Sequence, residues 1–207
     1  MNEMLKTVKR GYELGDYAGT YRTKSNPTNM EKEHLDKFAS LLPKHGKILD
    51  LGCGIGIPFD KYLIEQGFEV TGIDIASKHI KLAKKNVPRA TYIEGDFTTL
   101  DFNTSKFHGI VAFYSIFHTP KKEHAALFRR MALLLENKGV ALLTLGTRTS
   151  DGVDDNWCGA TMAWSSYDPE TYKTLLHTNG FDIVADSYEG QPEDQEYHWW
   201  VMIKKRE

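Results

Sequence analysis

Short hydrophobic runs alternate with amphipathic segments along most of the chain. The runs are rich in Val, Ile and Phe and are bounded by Gly, Pro, Asn or Asp, which is typical of buried β-strands. The segments between them place apolar residues at helical spacing, as at Leu35, Phe38 and Leu42. The pattern therefore predicts alternating strands and helices, with strands at residues 48–51, 68–74, 90–94, 107–113, 140–145, 181–188 and 197–204.

This alternation predicts an α/β fold, a Rossmann-like doubly wound sheet of seven strands with helices on both faces. The last two strands are joined by a polar loop without a helix, so they must pair antiparallel, whereas the others are parallel. Thr28 and Glu31 predict a capping box before an N-terminal helix, and Thr119 with Pro120 predicts another helix start. Residues 1–26 show no strong period, and residues 146–166 are expected to form a long connection. The other predicted helices are residues 59–66, 77–86 and 169–179.

The most informative stretch is Asp50-Leu51-Gly52-Cys53-Gly54-Ile55-Gly56, at the end of the first predicted strand. Alternating glycines are expected to leave backbone N–H groups uncovered, so that a ligand can lie against the main chain. A dinucleotide-binding fingerprint would require a third glycine at position 57, where this chain has Ile57.

Three carboxylates, Asp50, Asp74 and Asp96, end the first three predicted strands. Ligands of open α/β sheets lie beyond the carboxyl ends of the strands, where the strand order reverses. Asp74 follows Gly52 by 22 positions, close to the roughly 20 expected for a carboxylate that holds a ribose diol. A structural alternative is that an individual aspartate, Asp96 above all, caps a helix. The three together with the glycines favour a nucleoside site.

Asp50 to Gly56, Asp74, and Gly95-Asp96-Phe97 resemble motifs of the class I S-adenosylmethionine (SAM) dependent methyltransferases. The resemblance implies that Gly52 and Gly54 receive the methionine moiety, with Asp50 ordering their loop. It further implies that Asp74 binds the ribose hydroxyls, Ile75 packs on the adenine, and Asp96 accepts the adenine amino group beside Phe97. An N-terminal lid contributing Tyr21 is an alternative to simple packing at the sheet edge. The predicted cofactor residues are Asp50, Gly52, Cys53, Gly54, Gly56, Asp74, Ile75, Asp96, Phe97, Tyr114 and Tyr21.

The methyl acceptor is expected to lie near the segment after the fourth strand and the aromatic C-terminal quarter. His118 is the candidate catalytic residue, because an imidazole can take a proton near neutral pH, but it can equally pack at the start of the next helix. The tryptophan-rich pattern resembles small bacterial and archaeal methyltransferases without a settled substrate. Its aromatic residues suit an apolar or cationic small molecule, or they form a second core layer. The predicted acceptor residues are Phe117, His118, Trp157, Trp164 and His198.

Composition and motifs limit the classes of molecule that this protein is expected to bind. The formal net charge is −2 and the basic clusters are short, which disfavours nucleic acid. The motifs of amino-directed DNA methylation, cytosine C5 methylation and metal-dependent catechol methylation are missing from the fourth-strand segment. No metal is predicted, because His118, Cys158 and His198 lack a recognisable ligand spacing. With two cysteines, no apolar leader and no membrane-length apolar run, the protein is expected to be cytoplasmic. The expected oligomeric state is a monomer or a homodimer.

The sequence thus predicts a SAM-dependent methyltransferase that acts on a small molecule by direct transfer and releases S-adenosylhomocysteine (SAH). We expect a single domain over residues 1–207, with a helical cap (1–45), a cofactor-binding core (46–145) and an acceptor-side region (146–207). The alternatives are a SAM-binding sensor without transferase activity and an NAD-linked oxidoreductase. The identity of the acceptor stays open.

Overall fold

A computed structural model of the chain describes residues 2–102, 106–194 and 197–206. The strands are β1 (Lys47–Leu51), β2 (Glu69–Asp74), β3 (Thr91–Glu94), β4 (Phe107–Ala112), β5 (Leu135–Gly146), β6 (Ser150–Trp157), β7 (Ala160–Ser166), β8 (Phe181–Glu189) and β9 (His198–Lys205). The α-helices are α1 (Glu3–Leu14), α2 (Tyr17–Tyr21), α3 (Asn29–Ser40), α4 (Phe59–Glu65), α5 (Ser77–Asn86), α6 (His124–Leu134) and α7 (Pro169–Thr178).

Seven strands form one sheet in the order β3-β2-β1-β4-β5-β9-β8. The pairs from β3 to β5 are parallel, and β9 runs antiparallel to both β5 and β8. The predicted seven-stranded, mostly parallel sheet with a terminal antiparallel hairpin is confirmed. The strand order reverses between β1 and β4, so the crevice beyond their carboxyl ends is the expected ligand position.

Both faces of the sheet are covered. Leu49, Leu143 and Trp199 face the cluster formed with α6 and α7, whereas Ile48 and Trp200 face the cluster formed with α3, α4 and α5. Adjacent residues of a strand point to opposite faces, and this explains why neighbouring tryptophans enter different clusters. Both tryptophans are fully buried.

Two predicted helix starts have different outcomes. The capping box before α3 is confirmed, since Thr28 N donates to Glu31 Oε2 at 2.7 Å and Glu31 N donates to Thr28 Oγ1 at 3.3 Å. The predicted cap at Thr119 is wrong, although helical structure does begin directly after Pro120, with a 3-10 turn at Lys121–Glu123 that leads into α6. The Thr119 hydroxyl donates instead to the carbonyl oxygen of Ile116 at 2.7 Å, and α6 begins only at His124.

The N-terminal region and residues 146–166 are more regular than predicted. Residues 3–14 form α1, whose buried Leu5, Val8 and Gly11 lie on one face. The predicted long connection is wrong, because β6 and β7 form a separate antiparallel hairpin there. Helix α1 packs closely on that hairpin: a Cβ atom added at Gly11 would lie 2.6 Å from the carbonyl oxygen of Thr161.

The thiols of Cys53 and Cys158 are free. Across the described residues, none of the helices has the length and apolar character needed to cross a membrane. The same residues contain no group of three His, Cys, Asp or Glu side chains that could hold a metal ion.

Candidate functional site

The glycine turn follows β1 at the crevice. Gly52, Gly54 and Gly56 adopt φ angles of +90°, +54° and +76°, a region that favours glycine. At Gly52 an added Cβ would also lie 2.4 Å from the Cβ of Ser115, which belongs to the segment after β4. The turn therefore requires glycine at this position for backbone conformation and for close packing.

The backbone N–H groups of the turn are occupied within the protein. Those of Gly52 and Cys53 both donate to the carbonyl oxygen of Ile73, at 2.8 and 2.9 Å. Gly54 N donates to Asp74 Oδ2 at 2.9 Å. The prediction that these N–H groups are uncovered is therefore wrong. What the turn offers a ligand is a surface without side chains.

One cleft at the carboxyl ends of β1, β2 and β4 collects most of the residues predicted to bind the cofactor. It is closed from outside by apolar and aromatic residues of α1 and α2. The predicted cofactor residues that line it are Gly52, Gly54, Asp74, Ile75, Asp96, Phe97 and Tyr114.

The remaining predicted cofactor residues do not line this cleft. Cys53 lies under the turn, against Gly72 on β2, and Gly56 packs against the Tyr92 hydroxyl. Asp50 is buried beneath the turn. Tyr21 is 40% exposed and lines a neighbouring, larger cavity.

The carboxylates of Asp74 and Asp96 already have local partners. Asp74 Oδ1 accepts from Ala76 N at 2.8 Å and lies 3.3 Å from Nδ1 of the buried His79. Asp96 Oδ1 accepts from the backbone N–H and the hydroxyl of Thr98, at 2.9 and 2.6 Å. These bonds fix the direction of both carboxylates at the edge of the cleft.

Asp50 and Asp60 form a buried acidic pair beneath the turn, with the Tyr92 hydroxyl beside them. Burial, together with the charge of Asp60, holds the pKa of Asp50 well above its ordinary value. Burial also raises the pKa of Asp60 to about 6. Asp50 Oδ1 has no hydrogen-bond partner among the described residues, so this oxygen does not order the loop through a direct bond.

Tyr114 stands between the cleft and the larger cavity, with a φ angle of +54°. Its hydroxyl donates to Glu189 Oε2 at 2.7 Å, and Trp200 Nε1 donates to the same oxygen at 2.9 Å. Burial and the Glu189 charge raise the pKa of Tyr114, so it stays protonated as a donor.

His118 lies in the 3-10 turn of residues 116–118 and is buried. Its Nδ1 is 2.9 Å from the carbonyl oxygen of Ala163, which can only accept, so Nδ1 carries the proton. Burial lowers the pKa of His118 to about 4. At neutral pH the ring is therefore uncharged, with Nε2 as a hydrogen-bond acceptor. His118 is not the residue that begins α6.

Tyr12 of α1 organises an aromatic cluster above the cleft. Its ring centroid lies 4.9 Å from that of His79, 5.4 Å from those of Tyr17 and His118, and 5.5 Å from that of Trp157. The ring of Tyr17 also covers the turn, since an added Cβ at Gly54 would lie 3.5 Å from its Cε1. With these rings in place the cleft has a free volume of about 40 Å³, below the roughly 300–1,000 Å³ of ligand pockets.

The larger cavity has a volume of about 1380 Å³ and extends from the aromatic cluster to the β6–β7 hairpin and the end of β8. It shares four wall residues with the cleft: Tyr12, Tyr17, Tyr114 and His118. The structure brings all the predicted acceptor residues together in its wall, namely Phe117, His118, Trp157, Trp164 and His198.

Several residues of these two cavities were not predicted from the sequence. Tyr12 could have been found, because Leu5, Val8 and Tyr12 follow a helical period that places them on one face. Asp60 and Glu189 carried no such signal, since each looks like an ordinary surface carboxylate in the sequence.

Comparison with known proteins agrees with this geometry. A methyltransferase domain family matches residues 48–139. An uncharacterized methyltransferase of Oceanobacillus iheyensis is 28% identical over 174 residues, covering 83% of this chain and 71% of that protein. An uncharacterized methyltransferase of Synechocystis sp. is 40% identical over 146 residues, covering 67% of this chain and 68% of that protein.

The fold is shared with magnesium protoporphyrin IX methyltransferase from Synechocystis, solved with bound SAM. The TM-score is 0.73 at 16% identity, over 99% of this chain and 98% of that one. Sequence relatives and fold thus point the same way, and they decide against the NAD-linked alternative. The chain belongs to the class I SAM-dependent methyltransferases, and SAM is its cofactor.

Proposed function

We propose that this enzyme transfers the methyl group of SAM to a small molecule held in the larger cavity. The observation that carries the proposal is the shared wall of Tyr12, Tyr17, Tyr114 and His118 between the two cavities. Direct transfer requires the methyl group and the accepting atom to meet in line, so their binding sites must adjoin. A cavity of about 1380 Å³ is ample for a small acceptor.

The residues of the cleft fit SAM in their chemistry. In this proposal Gly52 and Gly54 give a surface without side chains for the methionine part, and Asp74 accepts from the ribose hydroxyls. Ile75 and Phe97 provide apolar surface for the adenine, and Asp96 an acceptor for its amino group. All six line the same cleft. Asp50, Cys53 and Gly56 do not line the cleft; Cys53 and Gly56 pack the turn against β2 and β3.

The room in the cleft fits SAM only if the N-terminal segment moves. About 40 Å³ is free while Tyr17 covers the turn and Tyr12 lines the cleft. Helix α2 is short, and exposed residues precede and follow it in the chain. It is therefore the part of the wall whose movement requires the least free energy. We infer that Tyr17 and α2 form a lid over the cofactor. Tyr21 belongs to the acceptor side of this lid, where it stacks on Trp157 with 5.8 Å between the ring centroids.

When bound, SAM supplies a methyl group on a positively charged sulfur. A nucleophile can take this methyl group directly, and the sulfur leaves as part of SAH. The protein then has to align the acceptor and exclude water, and alignment contributes at most roughly 7–11 kcal/mol for well-oriented reactants. His118 Nε2 is an acceptor for an N–H or O–H group of the acceptor molecule. A pKa of about 4 makes it a weak base, which favours an orienting role. Phe117, Trp157 and Trp164 close the site against water.

The experiment that tests the proposal is a screen of small-molecule pools for SAH release by the full chain supplied with SAM. We expect at least one pool to release SAH in proportion to enzyme concentration. The Asp74→Ala variant, with a weakened cofactor site, should release less from the same pool. SAM binding without SAH release from any small molecule would contradict the proposal and favour a sensor.

A further inference from the structure

Glu189, at the end of β8, is a carboxylate whose direction is fixed by the protein. The Tyr114 hydroxyl and the Trp200 Nε1 group both donate to its Oε2 atom, at 2.7 and 2.9 Å. Trp200 is fully buried, and Tyr114 belongs to the wall shared by the two cavities. The carboxylate is therefore attached to the rigid sheet at the inner end of the acceptor cavity.

The Glu189 carboxylate forms no direct ion pair with a Lys or Arg side chain of the part of the chain that the structure describes. Tyr114 and Trp200 are neutral donors, and no Lys or Arg nitrogen of the described residues lies within 4.0 Å of the Glu189 carboxylate. Asp151, in the same cavity wall, is by contrast paired with Lys121. A half-buried carboxylate is stabilised strongly by a cation that approaches it.

The rings around Glu189 favour a cation as well. The Arg22 guanidinium lies 5.3 Å from the ring centroid of Tyr114, and at the same distance from those of Tyr17 and Phe59. Of these three rings, Tyr17 and Tyr114 line the larger cavity, so aromatic faces of its wall already hold one cation of the chain itself. The rings of Tyr114 and His198 lie edge to face beside Glu189, with 5.1 Å between centroids.

The charged residues in the wall of the larger cavity also favour a cation, because carboxylates outnumber guanidinium groups there. The net charge of the chain is only −2, so a locally acidic wall is not a consequence of overall composition. The guanidinium groups in the described wall are those of Arg22 and Arg148. The carboxylates in it are those of Glu31, Asp151, Asp154, Asp155, Glu189 and Asp194. Asp151 is paired with Lys121, and the other carboxylates still outnumber the guanidinium groups.

We propose that the methyl acceptor carries a cationic nitrogen, which Glu189 binds against the Tyr114 and His198 rings. This inference rests on the proposed function and names the class of its substrate, an amine-bearing small molecule. Anionic molecules are excluded by the same carboxylate. The bonds from Tyr114 and Trp200 keep one oxygen in place, so the remaining oxygen is available to the ammonium group.

The test compares three probes of similar shape, namely benzylamine, benzyl alcohol and benzoate. Binding of each to the full chain saturated with SAH is measured by ligand-observed NMR titration. We expect benzylamine to bind at least about tenfold more tightly than benzyl alcohol, and benzoate not to bind. Glu189→Gln should remove the preference for benzylamine and leave the affinity for benzyl alcohol unchanged.

A matched control lies on the same strand pair. Asp186 accepts from Trp199 Nε1 at 2.9 Å, as Glu189 accepts from Trp200, but Asp186 is exposed and outside the cavity wall. Asp186→Asn should leave all three affinities unchanged. If Glu189→Gln does not fold, Tyr114→Phe removes one of the two bonds to the carboxylate, and the preference for benzylamine should shrink.

Two outcomes would overturn the inference: equal binding of benzylamine and benzyl alcohol, or an unchanged preference in Glu189→Gln. The screen for SAH release separates this failure from failure of the proposed function. Release with neutral or acidic pools alone would overturn the cationic acceptor and leave small-molecule transfer in place. If no pool releases SAH, the proposed function fails, while the probe titrations still decide whether Glu189 is a cation site.

Discussion

The carboxylate of Asp74 joins the ends of two neighbouring strands by accepting a hydrogen bond from Gly54 N, with 2.9 Å between the atoms. Its second oxygen accepts from Ala76 N at 2.8 Å. The side chain thus ties the glycine turn after β1 to the start of α5. The residue proposed to hold the ribose also sets the shape of the turn proposed to hold the methionine part, so the two halves of the cofactor site depend on one carboxylate.

Replacing Asp74 with alanine should weaken SAM binding by at least about tenfold, because the ribose loses its acceptor. The melting temperature should also fall, since two backbone N–H groups lose their partner at about 1–3 kcal/mol each. Calorimetric titration with SAM and thermal unfolding measure the two effects. Glu94→Ala, at the exposed end of β3, is the control, and it should change the SAM affinity and the melting temperature only slightly. Unchanged SAM affinity in Asp74→Ala would show that the ribose is bound elsewhere.

Gly52→Ala should destabilise the protein by at least about 2 kcal/mol, through a φ angle of +90° and a Cβ placed 2.4 Å from that of Ser115. Ser115 cannot retreat easily, since its hydroxyl donates to the carbonyl oxygen of Leu51 and fixes it to β1. Urea unfolding measures the loss. Gly152→Ala is the control, with only Trp164 near its added Cβ, at 3.9 Å, and should stay within about 0.5 kcal/mol. Equal effects in both variants would contradict the packing argument.

The sequence predicted the sheet and the strand-end residues for one physical reason. Parallel strands end at one edge of the sheet, so Asp74 and Asp96 must lie near the glycine turn whatever the details of the helices. The cleft and the large cavity collect most of the predicted residues. What sequence patterns do not encode is a long-range contact between a side chain and a loop. Tyr17 over Gly54 and Glu189 beside Tyr114 are contacts of that kind, and neither residue was predicted.

Backbone hydrogen bonds at the turn were mispredicted for a related reason. Uncovered N–H groups were expected at Gly52 and Gly54 from the glycines alone. Their acceptors belong to residues about 20 positions away, Ile73 and Asp74, which come close only when β2 pairs with β1. The hairpin of residues 150–166 was missed because its first strand, β6, is exposed and polar, so it lacks the alternation on which a strand prediction depends.

His118→Asn should lower kcat by about tenfold, the effect of losing one hydrogen bond of about 1.4 kcal/mol, because it removes the acceptor at Nε2 that orients the methyl acceptor. Since the pKa of His118 is about 4, kcat of the wild-type enzyme should show no titration of this residue between pH 6 and 8. The rate is followed as SAH release from an active pool. His124→Asn is the control: His124 is another buried histidine, bonded to the Tyr172 hydroxyl at 3.0 Å, and its loss should lower stability but spare kcat. Full turnover by His118→Asn would assign it a packing role.

Tyr17→Ala should raise both the association and the dissociation rate constants of SAM, because it removes the ring that covers Gly54. Stopped-flow fluorescence can follow binding in both variants, since the ring centroid of Trp157 lies 5.5 Å from that of Tyr12 in the cleft wall. Tyr21→Ala is the matched control, because Tyr21 stacks on the same tryptophan but lines only the larger cavity. Slower association in Tyr17→Ala, or equal effects in both variants, would contradict a lid at Tyr17.

The buried pair of Asp50 and Asp60 makes the protein less stable as the pH rises. A carboxyl group with an ordinary pKa near 3.9 in the unfolded chain and about 6 in the folded chain binds more protons when folded between these values. Through Asp60, the free energy of unfolding therefore falls from about pH 4 to about pH 6, and the penalty from this residue is fully present above pH 6. At roughly 1.4 kcal/mol per pKa unit, it reaches up to about 3 kcal/mol.

Asp60→Asn removes this titration while keeping the shape of the side chain. We expect the variant to be more stable than the wild type at pH 7.5 by about 1–3 kcal/mol, with a smaller difference at pH 5. Urea unfolding at the two pH values measures it. Asp36→Asn is the control with the opposite sign, because Lys32 and Tyr62 hold the pKa of Asp36 below its ordinary value, so its loss gives no gain at pH 7.5. If Asp60→Asn raised the free energy of unfolding equally at both pH values, the titration of Asp60 would not be the cause of the gain.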